Sequence, residues 1–249
     1  MPCSFKLLLP ICFVIMCITT GSASAQDQTR LQGDVGVGFY RTPAITQTRD
    51  DSNAVLPYMY ASYGQLYARI NTVGYKLFPL GTGHLEVAGR IALEGYKSSL
   101  AGVTDRSNPF PVGVGTFQKT PIGAFFVYGF HDTTSGGSLL DVVYTAKLTV
   151  GGLSIYPQLG VERRSEAYVQ HLYGVSAGEA AANGSVQAYQ ASASTVPNVG
   201  VTFVYPLENR YNLTFQMRKK WLDSSITDSP LVNTKTQITG FMAMTRSFD

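Results

Sequence analysis

Apolar and polar residues alternate along residues 211–221 of the chain. The odd positions are apolar except at Lys219, and the even positions, such as Arg218, are polar. A period of two places successive side chains on opposite faces of a β-strand, so this stretch is predicted to be a strand with one apolar face. Its aromatic residues Tyr211 and Trp221 lie at the two ends of that face, which is typical of a strand that crosses a membrane.

The same alternation recurs along the chain and predicts about ten strands. Tight connections at Gly64-Gln65, Gly151-Gly152 and residues 208–210 join neighbouring segments as hairpins. Each segment is close to the roughly ten residues that a tilted strand needs to cross a bilayer. The predicted strands cover residues 31–40, 55–63, 66–78, 84–96, 117–130, 140–150, 153–168, 199–207, 211–221 and 236–248.

Two regions leave the number of strands open between ten and twelve. The alternation of residues 66–78 changes phase near residues 72–74, which we interpret as a bulge. Residues 117–130 are aromatic but alternate poorly, and the connection at residues 97–116 is long enough to hide a further hairpin.

The lengths of the connections alternate as they do in outer-membrane barrels, which have short periplasmic turns and long external loops. Long connections at residues 41–54, 171–196 and 223–235 fit the external side. With ten strands, the long connection at residues 97–116 falls on the periplasmic side and breaks this rule.

These features predict an all-β fold, a transmembrane antiparallel up-and-down β-barrel. No segment after residue 25 has the roughly eighteen consecutive apolar residues of a transmembrane helix. The alternative is a soluble β-sandwich or lipocalin-like barrel, in which the apolar face would point inward. Charged residues make up 14% of the chain, against roughly 25% in a typical soluble protein, which favours the membrane barrel.

Residues 1–25 are predicted to be a cleaved signal peptide, and residues 26–249 the outer-membrane barrel domain. Lys6 precedes an apolar stretch, and Ala23-Ser24-Ala25 fits the cleavage rule. All 3 cysteines lie in this segment, so the mature chain has no disulfide. Cleavage leaves 18 basic and 16 acidic residues, a balance that gives no reason to expect a nucleic acid partner.

With the apolar faces in contact with lipid, the opposite faces line the lumen. The polar residues there carry both signs of charge in similar numbers, so buried ion pairs are expected. A narrow barrel filled in this way is predicted to conduct ions poorly. The predicted lumenal charges are Arg69, Arg90, Lys147, Arg164, Arg218 and Lys220, with Asp34, Glu86, Glu94, Asp141, Glu162 and Glu166.

No catalytic, cofactor-binding or metal-binding residues are predicted. The histidines His84, His131 and His171 are far apart and lack the spacing of metal ligands. The best case for an enzyme is a protease at the barrel rim, in which Asp50-Asp51 and His131-Asp132 would activate water, as in the ten-strand omptins. Adjacent acidic residues on loops are common, so this alternative is disfavoured.

Residues 173–184 and 188–191 resemble the MipA/OmpV family of outer-membrane proteins, and residues 38–63 and 228–232 are similar to it as well. Within the first stretch, Ser176 and Glu179 are predicted to form the capping box at the start of a short helix. Asn183-Gly184 is predicted to end that helix.

The resemblance implies a non-enzymatic scaffold in the cell outer membrane, in contact with its lipid. Its partners would be a lytic transglycosylase and a murein synthase on the periplasmic side. The connection at residues 97–116, which contains Asn108-Pro109-Phe110-Pro111, is the predicted partner surface. An adhesin or a small-solute channel are the alternatives, and the oligomeric state stays open.

Overall fold

The computed structural model describes residues 30–46 and 52–248, which form thirteen β-strands in one antiparallel sheet. The predicted signal peptide lies outside the described residues. The strands are β1 Leu31–Thr42, β2 Ser52–Tyr63, β3 Leu66–Arg69, β4 Thr72–Leu80, β5 Gly83–Arg90, β6 Pro111–Thr120, β7 Gly123–Asp132, β8 Ser138–Ala146, β9 Leu148–Val150, β10 Leu153–Arg164, β11 Ser194–Pro206, β12 Tyr211–Trp221 and β13 Thr236–Phe248.

The sheet closes into a barrel with up-and-down topology. Each strand pairs with its neighbours in the chain, and β1 closes the barrel against β13 from Gly33 with Phe248 to Arg41 with Gly240. Strands β8 and β9 are two parts of one barrel strand, because both pair with β10 in the same register on either side of Lys147. The described residues therefore form a twelve-strand barrel, the larger of the two numbers left open by the sequence.

The two ends of the barrel differ in their connections. One end, called the turn end, carries Leu31, Phe248 and the tight turns, including Gly64-Gln65 and Gly151-Gly152. The opposite end, called the loop end, carries the longer connections. Because outer-membrane barrels keep short turns in the periplasm, the turn end is the periplasmic one.

The apolar faces of the strands point away from the lumen, as predicted. Leu213, Phe215 and Met217 on β12 are 41 to 48% exposed, whereas Thr214 between them is buried. A soluble barrel would bury the apolar residues instead, so this arrangement excludes the lipocalin-like alternative. Lys219 also points outward, and its ammonium group lies 5.3 Å from the centre of the Trp221 ring.

The predicted strand at residues 66–78 is in fact a hairpin. The chain reverses at Ile70-Asn71, between β3 and β4, and the bulge predicted near residues 72–74 is wrong. Ile70 has a φ of 58°, a left-handed conformation that is rare for a β-branched residue. A turn formed by such a residue has no glycine signal in the sequence.

The predicted strand at residues 117–130 is also two strands, β6 and β7, which meet at Pro121-Ile122. Phe117, Phe126 and Tyr128 point into the lumen, opposite outward apolar residues such as Val127. Because both faces are apolar here, the alternation that identifies a membrane strand is lost.

The additional turn at Ile70-Asn71 reverses the predicted position of the connection at residues 97–116, and the turn at Pro121-Ile122 restores the predicted direction of the later strands. Strand β5 ends at Arg90 and β6 begins at Pro111, so residues 91–110 connect them at the loop end with the other long connections. Placing this connection on the periplasmic side was wrong. The described barrel has only tight turns at its periplasmic end.

Three short helices lie in the loop-end connections: α1 Glu166–Tyr173, α2 Ala177–Asn183 and α3 Ser224–Thr227. The predicted capping box of Ser176 and Glu179 is present, and Gly184 ends α2 in a left-handed conformation. Helix α1 begins where the sequence analysis extended a strand to residue 168. Among the helices of the described residues, none has the length and apolar character to cross a bilayer.

The barrel wall has a gap near the loop end, because β3 is only 4 residues long. Strand β2 pairs with β3 only from Tyr60 to Tyr63, and the amide of Ile70 then donates to the carbonyl of Met59 at 2.7 Å. Above that point, no described strand pairs with this edge of β2. Residues 91–93 lie on the other side of the gap, where the amide of Ile91 donates to the carbonyl of Asn71.

Candidate functional site

The lumen holds a layer of ion pairs that joins distant strands. The predicted balance of positive and negative charge is confirmed, and each of four carboxylates has a cationic partner within 2.8 Å. Such pairs remove the cost of burying single charges, since each charge meets its opposite without water. The pairs are Arg69 with Glu86, Arg90 with Asp141, Arg164 with Glu94 and Glu162, and Lys220 with Glu162.

Glu86 is the centre of the half of the layer nearer the turn end. Its side chain has no exposed surface, and both of its oxygens accept from the guanidinium of Arg69, at 2.7 and 2.8 Å. The hydroxyl of Tyr128 donates to the same carboxylate, and Nε2 of His84 lies 2.6 Å from it. This bidentate geometry fixes the orientation of Arg69 as well as its charge.

Aromatic rings surround this ion pair and fill the barrel at that level. The guanidinium of Arg69 lies 4.1 Å from the centre of the Tyr67 ring and 5.2 to 5.4 Å from the Phe117 and Phe126 rings. Cation–π contacts of this kind are strongest where water is excluded. Across the lumen, Tyr58 and Phe241 pack together with ring centres 5.6 Å apart.

The half of the layer nearer the loop end is covered by helix α1. Arg164 joins Glu162 and Glu94, and the hydroxyl of Tyr168 on α1 donates to Glu94 at 3.0 Å. Burial raises the pKa of the Tyr168 and Tyr173 hydroxyls, so both stay neutral donors. The apolar face of the helix packs on a cluster formed by Ile45, Tyr168, Val169, Leu172, Tyr173, Ala191, Val196 and Ile226.

Glu179 on α2 links the helix to the connection at residues 91–110. Its carboxylate accepts from the backbone of Thr104 at 3.0 Å and from the backbone of Ser176 at 2.9 Å, and it pairs with Arg106 at 3.0 Å. Partial burial alone would raise the pKa of Glu179, but these donors outweigh that effect and hold the pKa well below its usual range. The loop end is therefore one cross-linked layer.

A cavity of about 670 Å³ lies between the ion-pair layer and this cover. Arg218 lines it without a carboxylate partner: its Nη2 donates to Oε1 of Gln158 at 3.1 Å, and its Nε is buried without a hydrogen-bond partner. Tyr60 points into the same space and is 42% exposed although it faces the lumen. A cavity of this size is within the range of small-molecule sites.

The described residues of the rim-protease alternative, His131 and Asp132, lie on opposite faces of β7. His131 on β7 is exposed and faces outward, whereas Asp132 is completely buried and faces the loop end of the lumen. Asp132 accepts from the backbone amides of Phe110 and Ser135, at 2.6 and 2.7 Å, and so fixes two loops. Asp50-Asp51 lies outside the described residues.

One expectation about a charged residue of the lumen needs correction. Glu166 was expected to line the lumen, which is wrong, because it lies exposed in the first turn of α1. Within the described part of the chain, no three histidine, cysteine or acidic side chains converge in a way that could hold a metal ion. The Glu86 centre, the cavity and the gap were not predicted, since each depends on the hairpin at Ile70-Asn71.

The family of the chain follows from its comparison with known proteins. A family model described as MltA-interacting protein MipA matches residues 35–248, which is most of the barrel described above. The chain belongs to this family. The resemblance drawn from the sequence is thereby confirmed. The match covers every strand in full except β1, of which it leaves out residues 31–34.

Relatives of this family member cover most of its length. MltA-interacting protein of Escherichia coli (strain K12) is 26% identical over 238 residues, which cover 92% of this chain and 93% of that protein. Outer membrane protein Omp26La of Vibrio anguillarum and outer membrane protein OmpV of Vibrio cholerae are each 26% identical over 212 residues, 81% of this chain and 80% of each protein. Together with the outward apolar faces, these names identify the chain as an outer-membrane protein.

Proposed function

We propose that this barrel is a non-enzymatic scaffold, and that its periplasmic turn end docks a lytic transglycosylase of the murein machinery. The observation that carries the proposal is its relation to MltA-interacting protein over 92% of the chain. The barrel itself supports a binding role, because the carboxylates Glu86, Glu94, Asp141 and Glu162 of the lumen are each held by a cation.

The charge of the turn end supplies the physical basis for docking. Arg30, Lys119, Lys147 and Arg210 are exposed there, and Glu208 is the exposed acidic residue among the described residues of that end. A basic rim of this kind attracts a partner with an acidic face and speeds the encounter. Lys119 and Lys147 lie within barrel strands and Arg210 lies in a tight turn, so docking requires no ordering of a long loop.

The proposal is tested by capture of the purified transglycosylase on the protein held in lipid nanodiscs. The variant Lys119→Glu/Lys147→Glu/Arg210→Glu reverses the basic rim, and we expect it to bind about tenfold more weakly, with a loss of salt dependence. The control Lys97→Glu/Arg163→Glu/Lys235→Glu makes the same change at the loop end and should bind normally. Equal binding by the two variants, or no capture by the native protein, would refute docking at the turn end.

A further inference from the structure

The cavity of the lumen extends through the barrel wall. Its lining includes inward residues such as Arg218 and Gln158, and also Met59 and Ile91, whose positions are on the outward faces on the two sides of the gap. The wall beside Met59 is interrupted, since β2 pairs with β3 only from Tyr60 to Tyr63 and no other described strand pairs with that edge. The gap between β2 and residues 91–93 is therefore the opening of the cavity toward the bilayer.

The edge of β2 that faces the gap has backbone groups without a strand partner. Alternate residues of a strand direct their amide and carbonyl groups to the same side. Because the carbonyl of Met59 bonds to Ile70, the backbone groups of Val55 and Pro57 also point into the gap. Proline has no amide hydrogen to leave unpaired, and unpaired edges at membrane depth are tolerated only beside a polar cavity.

The charge of the cavity favours an anion. Six cations line it, Arg41, Arg69, Arg90, Arg164, Arg218 and Lys220, against the three carboxylates Glu94, Asp141 and Glu162. Each of these carboxylates is paired with Arg90, Arg164 or Lys220, and Arg69 is paired with Glu86, whereas Arg218 contacts the neutral amide of Gln158. An anionic group beside Arg218 would satisfy its buried Nε as well as its charge.

The opening is apolar and lies within reach of Arg218. Val55, Ile91 and Leu93, beside the gap, are 48 to 70% exposed. Arg218 is on β12, three strand intervals from β2, which is about 14 Å along the wall at about 4.8 Å per interval. The path therefore begins at a positive charge, crosses the cavity and leaves through an apolar opening. A molecule with an anionic head group and a single acyl chain fits such a path.

We propose that the lumen binds a single-chain anionic amphiphile that enters sideways from the outer part of the bilayer through the gap. The head group, a carboxylate or a phosphate, lies against Arg218 and Gln158, and the acyl chain passes between Met59 and Ile91 into the bilayer. This site is independent of docking at the turn end, so the two proposals succeed or fail separately.

The experiment uses the mature protein in nanodiscs with photoactivatable palmitate, photoactivatable lysophosphatidate and photoactivatable hexadecanol, which lacks the charge. Crosslinked peptides are identified by mass spectrometry. We expect an anionic probe to label peptides that contain Tyr60 and Leu93, and an excess of the unlabelled compound to compete. The comparison of palmitate with lysophosphatidate identifies the preferred head group.

Two sets of variants separate binding in the lumen from simple partition into lipid. Arg218→Gln should reduce anionic labelling of these peptides at least fivefold and leave hexadecanol labelling unchanged, while Arg218→Lys should restore part of it. A chemical crosslink across the gap in Val55→Cys/Leu93→Cys should block labelling, and the same crosslink between paired strands in Val142→Cys/Val161→Cys should not.

The heat-modifiable migration of the folded barrel on gels shows that each variant is folded. Labelling confined to lipid-facing peptides away from the cavity, such as those of β6, or equal labelling of native protein and Arg218→Gln by the anionic probes, would overturn the proposal. Such a result would mean that the opening holds water alone.

Discussion

Glu179 shows how much of the loop end depends on single side chains. Its carboxylate completes the capping box at the start of α2. The same carboxylate accepts from the amide of Thr104 and pairs with Arg106, in the connection at residues 91–110. Its side chain is 10% exposed, so water screens these contacts only in part. The neighbouring acidic residue Glu166 is exposed and serves as the natural comparison.

The charge of Glu179 makes the order of this layer dependent on pH. Because its pKa is lowered in the folded protein, its stabilisation is complete above the usual pKa of a glutamate, about 4.3, and is lost as the pH falls through the folded-state pKa. We expect amide protection at residues 98–106, measured by hydrogen exchange and corrected for intrinsic rates, to fall below about pH 4.

The variant Glu179→Gln should show low protection at neutral pH and little change on acidification, whereas Glu166→Gln should behave as the native protein does. Unchanged protection in Glu179→Gln would show that the apolar contacts alone hold the layer.

Ile70 shows why one turn of the barrel could not be predicted from the sequence. The alternation at residues 211–221 predicted the direction of each side chain correctly, because lipid and lumen impose opposite preferences there. At Ile70 the chain turns with a left-handed, β-branched residue, and its side chain packs against Tyr58 and Phe241 in the lumen. That tertiary contact overrides the local preference, so the sequence shows the turn only as a change of phase near residues 72–74, which a bulge would also produce.

At the scale of the elements, helix α1 covers the lumen at the loop end of the barrel. Leu172 is completely buried in the apolar cluster beneath the helix, and the hydroxyl of Tyr96 donates to its carbonyl at 2.8 Å. The strands are held by their own backbone ladders, so loss of the cover should leave the barrel folded.

The variant Leu172→Ala tests this separation. Removing the buried side chain should cost about 2–5 kcal/mol of the stability of the loop layer. Hydrogen exchange should then show loss of protection in α1 and α3 with little change in β12, and the exposed substitution Ala167→Ser on the same helix should have no effect. Cooperative loss of protection in both layer and strands would contradict the idea of an independent cover.

The pair of strands β6 and β7 explains the other error in the sequence analysis. Their inward residues are aromatic because they pack around Arg69 and Glu86, as Phe117 and Tyr128 do. A strand between an apolar lumen and lipid has no polar face, and its sequence resembles a buried strand. The fold class could be predicted from the remaining strands, whereas the strand count depended on these two.

At the scale of the whole molecule, the barrel is obstructed at two levels. The Glu86 centre and its aromatic rings fill the lumen nearer the turn end, and α1 covers it at the loop end. We expect the conductance in planar bilayers to be far below that of a general porin, since ions would have to cross a layer of paired charges.

The double variant Arg69→Ala/Glu86→Ala removes one ion pair without leaving an unpaired charge, and it should raise the conductance. The variant Lys219→Ala, on the lipid side, is the control and should leave it unchanged. Porin-like conductance of the native protein would disprove the obstruction.

The cross-linked layer at the loop end also determines how the cell surface presents this protein. Four connections, from distant parts of the chain, contribute to it, with Thr46 bridged to Val232 and Thr104 hydrogen-bonded to Glu179. An antibody or a bacteriophage that approaches from outside therefore meets a discontinuous epitope. Sera raised against linear peptides of single loops should recognise the denatured chain and fail on intact bacteria.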